Sequence, residues 1–499
     1  MPSRGRSSRC CRPSETERGP ARAAPRCARR GPIAQVTRLG WKREALSIKE
    51  PATNIAHIRN IKRYTAALSC LSLGILAGPV VLAPGSQATV PSAVARFPGR
   101  NVDFVGYGNG SGIGLGQWGA FGYAAVDHRT YQWILAHYYG GTTLSTSDNP
   151  ASSDPAVSVD LNENDGDPVV VTSQSAFSFG GERFASGQAA RAVLSQGTWT
   201  LSDAPSCSST SWTPIASQLV NPFAVPSSVR SSAALSQVLT ICEHDGVDLP
   251  VAGTVEAYDA SGGAVTLNIL PLEEYVQSVI SVEMSWSWGL FGGRTGAPQD
   301  HPWGFQALEA QAVAARSYAA SELASGGWAP YATACDASCQ SYPGLADENR
   351  MLEAAVRDTT GQILLQDAPA GTARAPVFAE YSASTGGYTR GGQFPAVADG
   401  GDSVCIKSGF YSCNPCHKWW AAVPVSAIEK AFPSVGELAA VEVTQRNGLG
   451  SLGGRVDTVA VAGTNGAVVS VPVAALEALL GANNQGGCSS DWFGVTNGP

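Results

Sequence analysis

The feature that most limits the fold is a series of short β-prone segments between residues 155 and 270. Apolar and β-branched residues concentrate in AVSVDL, PVVVTS, GTWTLS, TVEAYD and AVTLNIL. Glycine, serine, proline and aspartate separate these segments, and such residues favour turns over continued strands. This pattern predicts an antiparallel sheet. Two helical segments follow, over 271–284 and 305–323, so the predicted fold class is α+β.

The rest of the chain contains shorter predicted elements. A glycine-rich block over 106–144 ends in the helix-like stretch YQWILAHYY. Loops and strands are expected over 330–420. A final β-rich segment with one helix, over 471–480, closes the chain.

The helix over 271–284 places a carboxylate on its apolar face. Leu272, Val276, Val279 and Glu283 fall at i, i+4, i+7 and i+11, which is one stripe of a helix. A carboxyl group among apolar side chains has its charged form disfavoured, so its pKa rises and it can donate a proton near neutral pH. Glu283 is therefore the candidate catalytic residue. The alternative is an ordinary surface residue at a fraying helix end.

The net charge of -7 is the sum of a basic N-terminal region and an acidic remainder. Residues 1–63 contain 16 of the 33 Lys and Arg residues but four of the 40 Asp and Glu, which leaves 17 basic and 36 acidic residues beyond Arg63. Binding to nucleic acid needs clustered Lys and Arg to neutralise phosphates. The acidic body therefore argues against a nucleic-acid partner.

The uncharged segment over 64–83 follows Lys62 and Arg63 and precedes small residues, as in a signal peptide. We expect a signal peptide over 61–88, cleaved after Ala88, and a linker over 89–100. A retained membrane anchor is the alternative, since about 20 apolar residues can span a bilayer. Residues 1–60 have no apolar periodicity. They are interpreted as a disordered extension or the product of a wrongly assigned start codon, with a basic cytoplasmic tail as the alternative.

Beyond the leader, eight cysteines remain, an even number that favours disulfides in an exported chain. They are Cys207, Cys242, Cys335, Cys339, Cys405, Cys413, Cys416 and Cys488. The nearby Cys335 and Cys339 are expected to close a small loop. A zinc site of Cys405, Cys413, Cys416 and His417 is the alternative, although adjacent ligands chelate poorly.

Two long segments resemble the SpoIID/LytB domain, the family of stage II sporulation protein D and amidase enhancers. They are LPLEEYVQSVISVEM at 270–284 and ALEAQAVAARSYA at 307–319. Later blocks resemble the family in the same order: QSYPG at 340–344, AVRDTTGQIL at 355–364, YSASTGGYT at 381–389, NPCHKW at 414–419 and SSDWFGV at 489–495. The glycine-rich segment 110–139, with its GQWGA motif, is similar to a further family block. The resemblance assigns 101–499 to one domain, with the glycine-rich block over 101–145 and the main region over 155–495.

The resemblance implies a SpoIID-like α+β fold with antiparallel sheets, a two-helix catalytic element and a long substrate groove. It also implies lytic transglycosylase activity on the MurNAc-GlcNAc bonds of peptidoglycan. The sugar's own C6 hydroxyl is the nucleophile, so one carboxyl suffices as acid and base, whereas typical glycosidases need two. Glu283 takes this role. The expected location is secreted or cell-wall associated, and no cofactor or metal is expected.

Further residues are candidates for substrate binding. Gln311 and Arg316 are interpreted as orienting Glu283 or binding saccharide hydroxyls, with a buried structural network as the alternative. Tyr342 and Tyr381 could stack on or hydrogen-bond to a sugar, although either could be a core residue. A polar turn with close backbone approach is predicted to contribute four residues: Ser384, Gly386, Gly387 and Thr389.

The chain departs from the family pattern in two places. Ser111 stands where the glycine-rich block usually has histidine, which removes any role of that imidazole. Residues 285–305 contain an insert with Trp286, Trp288, Phe291 and Trp303 beside the presumed acid. The insert is interpreted either as a lid or sugar platform, or as a packed surface loop.

Peptidoglycan glycan strands are the expected partner, with a wall amidase as a second. A non-catalytic enhancer of such an amidase is the competing functional class, and retention of Glu283 within its motif argues against it. The sequence lacks the motifs of a secreted peptidase or amidase, since it contains neither HExxH nor GxSxG. Residues 106–116 contain neither GxGxxG nor GK[ST], so dinucleotide and P-loop chemistry are not supported there.

Overall fold

The β-prone segments form strands in a computed structural model that describes residues 95–147, 149–229, 234–244, 247–294, 296, 301–336, 339–347, 349–367, 374–407, 412–484 and 486–497. All of these residues belong to one unit, Gln87–Pro499. Up to the first long helix the strands are β1 Asn101–Gly106, β2 Leu115–Gly116, β3 Thr142–Ser145, β4 Ala156–Asp160, β5 Val169–Thr172, β6 Phe177–Phe179, β7 Glu182–Phe184, β8 Ala189–Ser195, β9 Thr198–Ala204, β10 Thr213–Leu219, β11 Phe223–Val225, β12 Leu239–His244, β13 Val247–Val251, β14 Thr254–Asp259 and β15 Ala264–Pro271.

Ten further strands and seven α-helices follow or lie between these strands in the described part of the chain. The later strands are β16 Ala334–Cys335, β17 Ile363–Gln366, β18 Tyr381–Ser382, β19 Cys405–Ile406, β20 Ser412–Cys413, β21 Trp419–Pro424, β22 Leu438–Arg446, β23 Val456–Gly463, β24 Val468–Pro472 and β25 Phe493–Val495. The α-helices in the described part of the chain are α1 Gln117–Ala125, α2 Tyr131–Tyr138, α3 Leu272–Glu283, α4 Phe305–Ser325, α5 Arg350–Asp358, α6 Val425–Ala431 and α7 Val473–Ala482.

Two large sheets contain most of the strands before α3. One has the order β16-β4-β15-β14-β11-β6-β7 and the other β10-β9-β8-β5-β12-β13. Every pairing is antiparallel except that of β16 with β4. Alternate residues are buried, as Val157 and Val159 on β4 and Val169 and Val171 on β5 illustrate. The predicted antiparallel sheet and the mixed α+β class are confirmed.

Helices α3 and α4 pack against each other and against the first core. Their bounds differ by one or two residues from the predicted ones. Leu272, Val276 and Val279 are fully buried, as the apolar stripe requires. Pro271 ends β15 and caps α3 rather than lying within its first turn. Helix α4 is buried on most sides because its many alanines allow close approach of its neighbours.

Helix α5 corrects the expectation of only loops and strands over 330–420. The Asn349 side chain caps its start by accepting from the Met351 backbone N–H at 2.9 Å. Leu352, Ala355 and Val356 are buried at i, i+3 and i+4. The sequence of α5 therefore has the helical period, but its stripe of apolar residues is too short to distinguish a helix from a loop.

The two ends of the described segment meet in a second hydrophobic core. Strand β1 lies between β21 and β25 in a three-stranded sheet, and β22, β23 and β24 form another. Helices α6 and α7 cover this region, which contains fully buried Phe104 and Phe493 with ring centroids 5.7 Å apart. The predicted helix over 471–480 is confirmed as α7.

Four disulfides join the eight cysteines, which confirms the disulfide interpretation. The pairs are Cys207–Cys242, Cys335–Cys339, Cys405–Cys413 and Cys416–Cys488. The alternative zinc site would need thiolates that are covalently paired here.

The predicted N-terminal extension, the signal peptide and most of the linker lie outside the described residues. Within the described ranges, no helix combines the length and the apolar character that crossing a bilayer requires.

Candidate active site

Glu283 is the last residue of α3 and is half-buried at the rim of a pocket. Burial raises the pKa of its carboxyl group, while hydrogen bonds from Gln117, Tyr381 and the Ser341 backbone lower it by less. The negative end of the helix dipole also disfavours a carboxylate at this position. The group is thus placed to hold a proton at a pH where an exposed glutamate has lost it.

Gln117 holds this carboxyl group in place. Its Nε2 donates to Oε2 of Glu283 at 3.0 Å. Strand β2 pairs in parallel with β18, so the chain enters α1 beside Tyr381, and the Trp118 backbone N–H donates to the Ala383 carbonyl at 3.0 Å. Gln117 was not among the sequence candidates. Its signal was the polar residue within GQWGA, directly before an apolar helix.

The pocket beside Glu283 has a volume of about 340 Å³. The rings of Tyr318 and Phe378 pack together with centroids 4.1 Å apart and contribute an aromatic wall. The lining residues are Gln117, Glu283, Tyr318, Cys339, Gln340, Ser341, Phe378, Glu380, Tyr381, Ser382 and Ala383. Hydroxyl, amide and carboxyl groups beside aromatic rings suit a polar ligand with apolar faces, such as a sugar.

A chain of hydrogen bonds connects the pocket with the core. The Tyr381 hydroxyl donates to Oε1 of Gln340 at 2.9 Å, and Nε2 of Gln340 donates to the Tyr275 hydroxyl at 3.3 Å. Burial raises the pKa of Tyr381 well above its ordinary value, and the nearby charge of Glu283 adds to this effect. Tyr381 therefore stays protonated and can donate a hydrogen bond at the acid.

Glu380 brings a second carboxyl group to the same pocket. Burial raises its pKa. Its backbone carbonyl accepts from the Tyr139 hydroxyl at 2.9 Å, which anchors the residue before β18. Sequence reasoning missed Glu380 because it lies outside the helix that carries Glu283.

Arg316 lies away from the pocket lining and is fully buried. Its Nε and Nη2 donate to the two carboxylate oxygens of Glu273 at 2.9 and 2.6 Å. Nη1 donates to the Gln362 carbonyl at 3.2 Å, and Nη2 also reaches the Val356 carbonyl at 3.3 Å. This arrangement corresponds to the structural alternative for Arg316, because its donors already have partners within the protein.

Gln311 is also fully buried and lies outside the pocket lining. Neither its amide nitrogen nor its amide oxygen has a hydrogen-bond partner in the described structure. The structure therefore provides no contact between Gln311 and Glu283.

Ser384 is buried directly after the pocket-lining segment. Its hydroxyl donates to Oδ1 of Asp402 at 2.8 Å, and Nδ2 of Asn414 donates to the same hydroxyl at 3.0 Å. The other carboxylate oxygen of Asp402 bonds Nδ1 of half-exposed His417 at 2.8 Å. Ser384 thus positions a buried carboxylate and its histidine, an arrangement that the sequence did not predict.

The other turn residues and Tyr342 also lie outside the pocket lining. Gly386 has φ of 76° and packs against the backbone at Gly108, where a side chain would not fit. Gly387 has φ of 106° and lies beside His417. The Thr389 hydroxyl accepts from the Val397 backbone N–H at 2.8 Å.

Tyr342 lies in the core. Its hydroxyl donates to Oδ1 of buried Asn268, and its ring stacks on Tyr275 at 5.7 Å between centroids. Of the eight predicted substrate-binding residues, the structure therefore brings only Tyr381 to the pocket with Glu283.

The aromatic insert packs against α1 over its described residues. Trp288 and Phe291 are buried, and the Trp288 ring stacks on Phe121 with centroids 4.6 Å apart. Trp286 is 46% exposed. The packed-loop interpretation fits the first two residues, whereas Trp286 faces solvent. The insert therefore supports α1, the helix that begins with Gln117.

Ser111 is exposed, and its hydroxyl accepts from the Ile113 backbone N–H at 3.3 Å. Among the residues that the structure covers, no group of three or more His, Cys, Asp or Glu side chains has the arrangement of a metal site.

Comparison with known proteins gives one match. Residues 260–365 match the model of the SpoIID family, described as stage II sporulation protein. No curated protein and no solved structure matches the chain. The matched segment runs from the end of β14 through α3, α4 and α5 to β17, and it includes Glu283. The segment that builds the Glu283 helix and the helices packed against it therefore matches the SpoIID family model.

Proposed function

We propose that this chain is an exported peptidoglycan lytic transglycosylase in which Glu283 is the single acid and base. One observation carries the proposal: a carboxyl group with a raised pKa, fixed by Gln117, at the rim of a pocket of about 340 Å³. Its place within a SpoIID segment supports a role at the cell wall. Four disulfides support export, since such bonds persist in oxidising compartments.

Protonated Glu283 starts the reaction by donating its proton to the glycosidic oxygen. The bond between that oxygen and C1 of the MurNAc residue breaks, and the leaving GlcNAc end gains a hydroxyl group. Ionised Glu283 then takes the proton of the C6 hydroxyl as O6 bonds to C1. The product is a 1,6-anhydro sugar, and the glutamic acid is regenerated without consumption of water.

Gln117 and Tyr381 make the two roles of Glu283 compatible. The amide of Gln117 donates to Oε2 and so orients the carboxyl group for proton transfer. The Tyr381 hydroxyl stays neutral because its pKa is far above the ordinary value, and rotation of its proton from Gln340 towards Glu283 stabilises the carboxylate as it forms. Tyr318 and Phe378 supply the apolar wall against which a sugar ring can stack.

Glu380 favours a second candidate, a hydrolytic glycosidase. Hydrolases of this class use two carboxyl groups, one as acid and one as base or nucleophile. Glu283 and Glu380 line the same pocket. If Glu380 activated water, the product would be a reducing sugar, which is heavier than the anhydro product by one water molecule.

Product mass separates these possibilities. Purified sacculi, with and without stem peptides, are incubated with the full chain and with its Glu380→Gln variant. We expect anhydro-ended fragments from both proteins. Reducing ends that disappear in the variant would establish the hydrolase instead. The absence of any fragments from either substrate would contradict catalysis and leave an enhancer of a wall amidase, which a mixed digest with an amidase would reveal.

A further inference from the structure

A second pocket, of about 430 Å³, lies on the outer face of the six-stranded sheet. The residues that line it come from three strands and two connecting segments: Asn164, Asp167, Pro168, Val170, Arg191, Cys207, Ser208, Ser209, Trp212 and Cys242. All of them precede the SpoIID segment at 260–365. The pocket shares no residue with the one beside Glu283, so it is a separate site.

The pairing of the strands explains why the charged side chain of Arg191 lines the second pocket. Arg191 on β8 pairs with Val170 on β5. The next residues along β8, Ala190 and Ala192, are fully buried on the opposite, core-facing side. Strand residues alternate between the two faces, so Arg191 and Val170 project together from the outer face.

The disulfide converts this outer face into a pocket. Cys207 follows β9, and its bond to Cys242 on β12 ties the following segment across the sheet. Trp212 ends that segment, immediately before β10. The guanidinium carbon of Arg191 lies 4.6 Å from the centroid of the Trp212 ring. The disulfide and the stacking contact therefore hold the segment that contains Trp212 over the Arg191 side chain.

The Arg191 guanidinium has no ionic or hydrogen-bonded partner in the described part of the chain. Its Nε is buried and unpaired, and no described carboxylate lies within ion-pair distance. Arg316 and Arg455, which are buried among the described residues, each form an ion pair with an acidic side chain. Arg191 is thus a cation that stacking fixes in place while its planar donors remain available for a carboxylate.

We propose that this second pocket binds the carboxylate of an acidic sugar, the free lactyl group of a muramic acid residue. The guanidinium supplies paired donors for the carboxylate. Hydroxyl and amide groups of Ser208, Ser209 and Asn164 surround it and suit sugar hydroxyls. The anion site rests on Arg191 alone, whereas the choice of sugar rests on the proposed action on peptidoglycan.

The test compares N-acetylmuramic acid with N-acetylglucosamine, which lacks only the lactyl ether. The full chain is labelled with ¹⁵N, and the indole N–H resonance of Trp212 is assigned with the Trp212→Phe variant. We expect N-acetylmuramic acid to shift this resonance saturably and N-acetylglucosamine to leave it unchanged. The readout reports the second pocket directly and needs no cleavage activity, so it is independent of the proposed catalysis.

Variants then identify the cation. Arg191→Gln should weaken binding of N-acetylmuramic acid at least roughly tenfold, since a bidentate charged contact is lost. Arg191→Lys should weaken it less, and Arg183→Gln, at an exposed position on β7, should leave it unchanged.

Three results would overturn the proposal. The first is an equal response to the two sugars in the unmodified chain, which requires no variant to fold. The second is unchanged binding in Arg191→Gln. The third is a response of Trp212 to the stem dipeptide L-alanyl-D-isoglutamine without one to the sugar, which would assign the carboxylate to the peptide.

Discussion

Glu273 and Glu283 stand at opposite ends of the same helix and have opposite surroundings. Glu273 accepts two hydrogen bonds from Arg316 and one from the Gly361 backbone N–H at 2.9 Å. Glu283 accepts from the neutral amide of Gln117 and borders a pocket, and its pKa is raised by burial. Each is a glutamate of α3, but one is paired with a buried arginine and the other has a pKa that burial raises.

The difference shows how one helix can serve both stability and chemistry. An arginine at the positive end of α3 compensates a carboxylate that the helix dipole already favours there. At the negative end, no lysine, arginine or histidine lines the pocket beside Glu283. A carboxyl group is useful as an acid only where charge compensation is incomplete. The predictions below test that division, beginning with the largest effect.

Arg316→Met should destabilise the protein by about 3 kcal/mol, because it leaves the half-buried Glu273 carboxylate without its buried cation. Urea denaturation provides the measurement. The Glu273→Gln/Arg316→Met double variant should recover part of the loss, because no unpaired charge remains. A single variant as stable as the original chain would show that the pair is not structural.

Glu309 tests whether burial without a cation raises a pKa at a position away from the pocket. Burial raises the pKa of Glu309 to about 8, with a further contribution from Asp358. The folded state therefore keeps a proton that the unfolded chain loses above about pH 4.5, so stability falls as pH rises towards 8. Glu309→Gln removes this dependence. Its stability relative to the original chain should increase by roughly 2–3 kcal/mol between pH 5 and pH 7. A constant difference would contradict the assigned burial.

Gln117→Leu should lower the cleavage rate about tenfold, because the acid loses the donor that orients it. The hydrogen bond from Gln117 lowers the pKa of Glu283, so its removal should move the alkaline decline of activity to higher pH. Rates measured across pH 5–9 separate this positioning effect from misfolding. Gln132→Leu, an exposed change on α2, is the matched control. An unshifted profile would remove Gln117 from the site.

Trp286→Ala should change stability by no more than about 0.5 kcal/mol, as is usual for an exposed side chain. Thermal unfolding checks this. The same variant tests the sugar-platform interpretation of the insert, because loss of a stacking surface would raise KM for glycan strands without lowering Tm. Unchanged KM and Tm would make Trp286 an ordinary surface residue.

The sequence predicted most elements that have strong periodicity. The strands over 155–270 and helices α3, α4 and α7 lie where alternation and the helical period indicated them. Glu283 ends α3, as the helical phase predicts, and its catalytic role stays a prediction. Helix α5 was missed because its apolar stripe is short, and it is recognisable mainly from its Asn349 cap.

The partners of Glu283 could not be derived from the residues around it in the sequence. Gln117 is 166 positions away and reaches the acid only because β2 pairs with β18. The sequence motifs indicate Arg316 and Ser384 as candidate substrate contacts. In the fold, Arg316 bonds to the half-buried carboxylate of Glu273, and Ser384 bonds to the buried carboxylate of Asp402. The sequence alone does not show which carboxylate a polar motif residue will bond to, because that depends on the strand pairings of the fold.

The central claim is that Glu283 acts through its proton and not through its contribution to folding. The most direct measurement determines the product masses from purified sacculi and the unfolding temperature, both for the full chain and for Glu283→Gln. The account predicts that the variant releases no anhydro-ended fragments and unfolds at the same or a higher temperature near pH 7, because the folded state disfavours an ionised carboxyl group at this position and the amide has none. Fragments released at the original rate by the variant would contradict it.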